Sequence, residues 1–294
     1  MATLTVHRHR SSPAVVARRA TRRTSFLLVM ALLALFCAFP FVWATITMFK
    51  ANADLYNPAH NPFLFNQPAT LSHLLLLFQQ TPFLTFVKNS AVVGGVVTGL
   101  TLLGSVPAAY ALARLIPGWG DKLGIAIFMV YLVPPTLLFL PLSHVVATLG
   151  LQDNLWSLVV VYPSFTIPLS TWLLMGFFKS IPRDIIEQAQ VDGCSPIGAL
   201  LRVVMPLAVP GIITVMVFSF TLTTQDFIYA LAFISSSDQM TISVGVPTNL
   251  IRGDVFYWQS LMAATVIVAV PIALVYNVFL RRFIQGFTMG ALKG

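Results

Sequence analysis

A chain of 294 residues that is 57% apolar and only 9% charged lies far from the roughly one-quarter charged residues of a soluble globular domain, and this composition excludes a water-soluble fold. The formal net charge of +8 does not mark a nucleic-acid binder, because the basic residues sort by membrane side and leave no basic patch interleaved with aromatics.

Residues 1–25 carry Arg8, Arg10, Arg18, Arg19, Arg22 and Arg23 without apolar periodicity, and are expected to form a basic cytoplasmic tail that sets topology or lies on anionic lipid. The apolar run Phe26–Met48 is too long for a secretory signal peptide and lacks a small-residue cleavage site, so it is expected to stay as a first span. Further runs at Asn89–Leu112, Leu123–Val146, Leu155–Phe178, Ala208–Phe233 and Gln259–Leu280 bring the total to six. Each is about twenty residues long, the length of helix that crosses about 30 Å of hydrocarbon. The expectation is an all-α membrane protein with a six-helix domain over 26–280 and a tail over 281–294.

On one side of these spans lie the N-terminal arginines with Arg114, Lys122, Lys179, Arg183, Arg202, Arg281, Arg282 and Lys293; the other side has Lys50, Lys88 and Arg252. The positive-inside rule then puts both termini in the cytoplasm. Cys37 falls in a span and Cys194 in a cytoplasmic loop, so no extracytoplasmic disulfide is expected, and neither has a neighbour suggesting a metal. Pro58, Pro62, Pro68 and Pro82 punctuate a long outer loop. Pro40, Pro107, Pro134, Pro135, Pro141, Pro163, Pro168 and Pro271 fall within spans, where each removes a backbone donor that lipid does not replace. Their clustering in the third and fourth spans favours a transport path over ordinary kinking.

The cytoplasmic stretch 179–207 is punctuated as two short helices. Ser180 is placed to cap the first, Pro182 suits its first turn, and Asp184 and Glu187 put negative charge toward its positive end. Gly193 supplies a left-handed stop, and Ser195-Pro196 starts a second helix that runs to Pro206 and Pro210. Ile185, Ile186, Ala189 and Val191 are expected to offer an apolar face to a partner's groove, with Glu187 and Asp192 as anchors.

Glu187-x-Ala189-x-x-Asp192-Gly193, followed by Met205-Pro206-Leu207 and Pro210, resembles the signature coupling loop of binding-protein-dependent ABC importer permeases. Thr81-Pro82-Phe83 with Asn89-Ser90, the run Ala108–Arg114, and the tail Gly286–Gly294 are similar to the smaller permease subunit of maltose-type carbohydrate importers. Gln188 and Cys194 stand where that family usually has alanine.

The resemblance implies that the loop couples to the ATPase, with Glu187 as polar anchor, Ala189 allowing close approach, Asp192 supporting the turn and Gly193 making it. Gly290, Lys293 and Gly294 would contact the ATPase through the tail. It also implies a second permease as heterodimer partner, a cytoplasmic ATPase dimer holding ATP and Mg, an extracytoplasmic solute-binding protein, a carbohydrate cargo, and residence in the bacterial inner membrane.

No Gly-x-x-x-x-Gly-Lys-Ser/Thr phosphate loop occurs, so energy is expected from a partner or from an ion gradient, the alternative being a gradient-driven carrier or channel. The polar run Thr221–Asp226 offers either a sugar-contacting surface, with Thr223, Gln225, Asp226 and Tyr162 as pathway residues, or an interhelical clamp with the partner permease. Tyr131, Tyr162 and Trp172 stack on sugar or simply pack, and His144 reads as a satisfied bundle residue. Gly118-Trp-Gly-Asp121 spells an intramembrane aspartyl protease motif, but Asp121 and Asp226 belong to opposite sides, so no catalysis and no resident metal or cofactor is expected.

Overall fold

The computed structural model describes residues 13–291, which form two units divided between Thr70 and Leu71. In the first, α1 (Pro13–Met48) is an apolar helix whose side chains from Phe26 to Val42 are mostly exposed, as a lipid-facing or partner-facing span requires. A compact loop follows. Its short helix α2 (Asn52–Leu55) places Asp54 within 3.5 Å of Lys50, and both side chains are buried. Lys50 donates to the carbonyls of Asn61 and Leu64, while Asn66 donates main-chain and side-chain amides to Asp54, so the loop closes around one ion pair.

The second unit opens with α3 (Ser72–Gln80) and the long α4 (Phe83–Tyr110), which starts six residues before the expected Asn89 because Pro82 serves as its N-cap. Beyond Tyr110 the helix continues through a π turn, Ala111–Leu115. The expected third span is two helices, α5 (Gly120–Tyr131) and α6 (Pro135–Thr148), bent by 87°. Consecutive Pro134 and Pro135 account for the break, since a residue before proline is driven out of the α region.

The fourth span is α7 (Leu155–Val161) joined at Tyr162 to α8 (Pro163–Ser180), with Asn154 capping α7 by accepting from the Trp156 amide. Next come α9 (Arg183–Val191), α10 (Pro196–Ala199), a π turn over Leu200–Val204 and α11 (Met205–Leu207). They lead into α12 (Val209–Gln225), which stops at Asp226 instead of running to Phe233; α13 (Ile228–Phe233) is a separate turn. The unit ends with α14 (Ile242–Leu250), a hairpin of β1 (Ile251–Arg252) and β2 (Val255–Phe256), and α15 (Trp258–Ala291). Among the described residues, four helices are by length and composition able to cross a membrane, or up to six when each bent pair counts as one span.

At the centre of the second unit α4 packs on α8, α12 and α14, and α12 on α15. Glycine sets close approach at several places: a β-carbon on Gly211, for instance, would lie 2.5 Å from the Phe177 ring, and one on Gly245 2.6 Å from Phe86. Two apolar clusters result. One, around Ala109, Tyr110, Leu174, Phe178, Ile186 and Val204, lies at the end carrying α9, here called the basic end; the other, around Val93, Val97, Tyr162, Tyr229 and Phe233, lies at the opposite end.

Candidate functional site

The loop at the basic end is ordered by its own sequence. Ile181 (ψ 129°) and Pro182 (ψ 139°) hold the chain extended, so that α9 begins at Arg183 with Asp184 in its first turn. Ser180 does not cap α9 as expected: its hydroxyl turns back to donate to the Phe177 carbonyl at 2.7 Å, and Pro182 precedes the helix instead of entering its first turn. At the far end Gly193 has φ +91°, its amide donates to Gln190, and the Cys194 amide donates to Ala189. That pair of bonds is a Schellman closure, which only an unhindered residue at Gly193 permits without strain. Ser195 then accepts from the Gly198 amide at 3.0 Å and starts α10.

The apolar residues of α9 divide between two faces, which corrects the expectation of a single exposed face. Ile186 and Ala189 are buried in the chain's own cluster with Leu200, Val204 and Ala208. The outward face presents Val191, 88% exposed, together with Ile185, Ile197 and Leu201. Glu187 and Asp192 are exposed beside them, and their carboxylates make no hydrogen bond or ion pair among the described residues. Exposed apolar side chains flanked by unpaired acids form a surface suited to a groove with basic margins. Ala189 therefore lets α9 approach the bundle, while Glu187 and Asp192 face outward. Of the tail residues, Gly290 lies in the backbone of α15, and Lys293 and Gly294 lie outside the described residues.

At the opposite end the polar residues of α12 are turned inward. One Asp226 carboxylate oxygen accepts from the Tyr162 hydroxyl at 2.9 Å and from the Tyr229 and Ala230 amides, and the Asp226 carbonyl accepts from Ser243. Asp226 thereby ties the α7–α8 joint, α13 and α14 together within this chain. Tyr162 is fully buried, and buried Thr223 donates to the Ser219 carbonyl; among the four pathway candidates, only Gln225 is exposed. Tyr162, Thr223 and Asp226 are engaged in hydrogen bonds within this chain, and Gln225 is exposed. Asp121, the other acid of the protease-like motif, pairs with Lys179 at the basic end.

Between the two ends runs a seam of buried hydroxyls that composition did not reveal. Thr101 and Thr166 are 2.7 Å apart and Ser170 and Ser219 3.3 Å, joining α4, α8 and α12 with small side chains of the kind that let membrane helices approach closely. Beside it a cavity of about 510 Å³, lined by Gly95, Gly99, Met216, Phe220, Val275 and Phe279 among others, is almost wholly apolar. It offers a carbohydrate too few hydrogen-bonding groups to be its site.

The chain is thus a helical bundle with several membrane-length apolar helices and two short helices packed on one end, their outward surface acidic and apolar. A family model described as "Binding-protein-dependent transport system inner membrane component" matches residues 105–288, and the chain belongs to that family. It is 36% identical over 87% of its length to the sulfoquinovosyl glycerol transport system permease protein of Agrobacterium fabrum, covering 89% of that protein. With the trehalose/maltose transport system permease protein of Thermococcus litoralis it shares 29% identity over 93% of the chain and 98% of the relative. Among solved structures, a bacterial ABC transporter involved in import of the acidic polysaccharide alginate superposes with TM-score 0.76 at 19% identity, over 90% of this chain and 98% of that one, and shares the fold.

Proposed function

We propose that this chain is a permease subunit of an ATP-driven importer that moves a carbohydrate across the bacterial inner membrane by alternating access. Both termini and the 179–207 loop face the cytoplasm, and the bundle crosses the membrane six times. A second permease completes the pathway, an ATPase dimer docks on the loop and binds ATP and Mg, and an extracytoplasmic binding protein delivers the cargo. The chain itself carries out no chemistry. The observation that carries this reading is the loop's geometry: α9 and α10 are fastened to the bundle by Ile186, Ala189, Leu200 and Val204, yet present Glu187, Val191 and Asp192 outward.

The carbohydrate class is supported by the relatives, whose names include a sulfoquinovosyl glycerol and a trehalose/maltose system. A gradient-driven carrier usually places ionisable groups within its spans. Asp226 is engaged by a hydroxyl and two amides, and this favours the ATP-driven reading. The test is uptake by liposomes holding the permease pair and ATPase, with binding protein outside and ATP inside, offered sulfoquinovosyl glycerol, trehalose and maltose in turn. ATP-dependent accumulation of one of them is expected. Accumulation that follows an imposed ion gradient without the ATPase overturns the reading.

A further inference from the structure

We propose that Arg114 is a positioning residue that fastens the α8–α9 junction to α4, so that displacement of α9 by the ATPase is delivered along α4 to the loop at the opposite end of the bundle. This rests on the reading of 179–207 as the ATPase-docking loop. Read as sequence, Arg114 is a cation at a span end, free to reach the interface. In the structure its side chain is half-buried and one guanidinium nitrogen donates to the carbonyls of both Phe178 and Ile181. Those carbonyls close α8 and open the extended link into α9; the Phe178 carbonyl also accepts the Ile181 amide at 3.3 Å, and the guanidinium adds a second donor there and one to the Ile181 carbonyl. A cation there also meets the negative end of the α8 dipole. The contact holds against like-charge repulsion from Arg183, the first residue of α9.

Two further observations bear on the same junction, and a third on the far end of α4. Arg114 lies in the π turn Ala111–Leu115, where the Ile116 amide donates to the Ala111 carbonyl at 3.1 Å, and such turns recur where a helix must aim a side chain away from its regular path. The Tyr110 ring packs edge-on to Phe178 at 5.9 Å, a second contact between the same two segments. At the other end of α4, Asn89 donates to the carbonyls of Asp238 and Met240, both at 2.9 Å, and Ser90 accepts from the Ile242 amide. One helix therefore grips both the docking loop and the 238–242 loop. Between the grips, buried Val93, Val97, Thr101, Ser105 and Ala109 keep it packed, so the segment Phe83–Leu115, about 50 Å at helical rise, is a continuous packed connection between them.

The test uses the full complex in liposomes with Arg114→Met and Arg114→Lys, a spin label at Gln190→Cys on α9 and, separately, one at Ser237→Cys in the opposite loop. With Arg114→Met the ATPase is expected to stay associated and the label on α9 to respond to ATP, while the Ser237 label no longer responds. Stimulation of hydrolysis by the loaded binding protein is expected to fall about tenfold. Lysine restores a donor to the two carbonyls without arginine's planar fork, and recovers part of both signals. Full stimulation, or an undiminished response at Ser237, in Arg114→Met overturns the proposal. Should Arg114→Met fail to assemble, Arg114→Lys decides: a coupled complex supports the role, and a second failure to assemble reduces Arg114 to a folding contact and overturns it. Absence of ATPase from the unmodified complex would overturn the docking reading as well, a result distinct from an assembled and coupled Arg114→Met.

Discussion

Asp54 shows how one side chain organises a loop that has little apolar surface of its own. Burial alone would raise its carboxyl, but the side-chain and main-chain amides of Asn66, the Lys50 ammonium and the His60 ring together hold it below the usual carboxylate range. A group whose pKa is lower folded than unfolded contributes stability that is present above its unfolded value and lost as pH falls through the folded one. The loop 49–66 is therefore expected to be closed at neutral pH and to begin opening only below about pH 4, the ordinary aspartate value. Hydrogen exchange of the Asn66 amide at pH 6 and pH 3 reads this, and Asp54→Asn should remove the pH dependence. Equal protection at both pH values in the unmodified chain would count against the account.

Among the elements, the α9 turn depends most on a single backbone conformation. Gly193→Val places a β-branched residue at φ +91°, a region that costs an L-residue roughly 1–2 kcal/mol. The closure onto Ala189 and Gln190 should fray and redirect α10. The expected outcome is loss of most ATPase co-purification while the permease pair remains intact by size exclusion; retained co-purification would show that the turn does not shape the docking surface. Gly193, Ser195 and Pro196 were legible because each acts on its own few residues, through a left-handed turn, a cap and a fixed φ. Ser180 misled for the same reason: its hydroxyl donates to the Phe177 carbonyl three residues back instead of accepting from an amide of α9. Arg114, Asp226 and Asn89 act across 64, 64 and about 150 residues of separation, and no local pattern announces which carbonyl or hydroxyl a distant helix will bring. The division of α9 into buried and exposed faces follows equally from what packs beneath it.

For the whole molecule, sidedness joins the charge pattern to the two ends of the bundle. In the proposed topology Gln190 lies in the cytoplasm and Ser237 outside. With Cys37 and Cys194 replaced by alanine, a membrane-impermeant thiol reagent is expected to label Ser237→Cys in intact spheroplasts and Gln190→Cys only after permeabilisation. The reverse pattern would invert the protein and remove the docking reading with it. A composition this apolar made the membrane and the number of apolar runs legible. It did not show that the third run is broken or that the fifth stops at Asp226, because hydropathy averages over the prolines and acids that end a helix.

The break at Pro134 and Pro135 bears on how the chain enters the membrane at all. The 12 residues of α5 and 14 of α6 rise about 18 and 21 Å, so neither half crosses about 30 Å of hydrocarbon by itself. Amide donors are also missing at the bend, and lipid supplies none. Phe128 on α5 stacks on Trp172 of α8 at 5.2 Å, and Gly124 admits Met175 of the same helix, so the support α5 uses is synthesised some fifty residues later. The α5–α6 segment is therefore expected to be held stably in the bilayer only once α8 is available to pack on it.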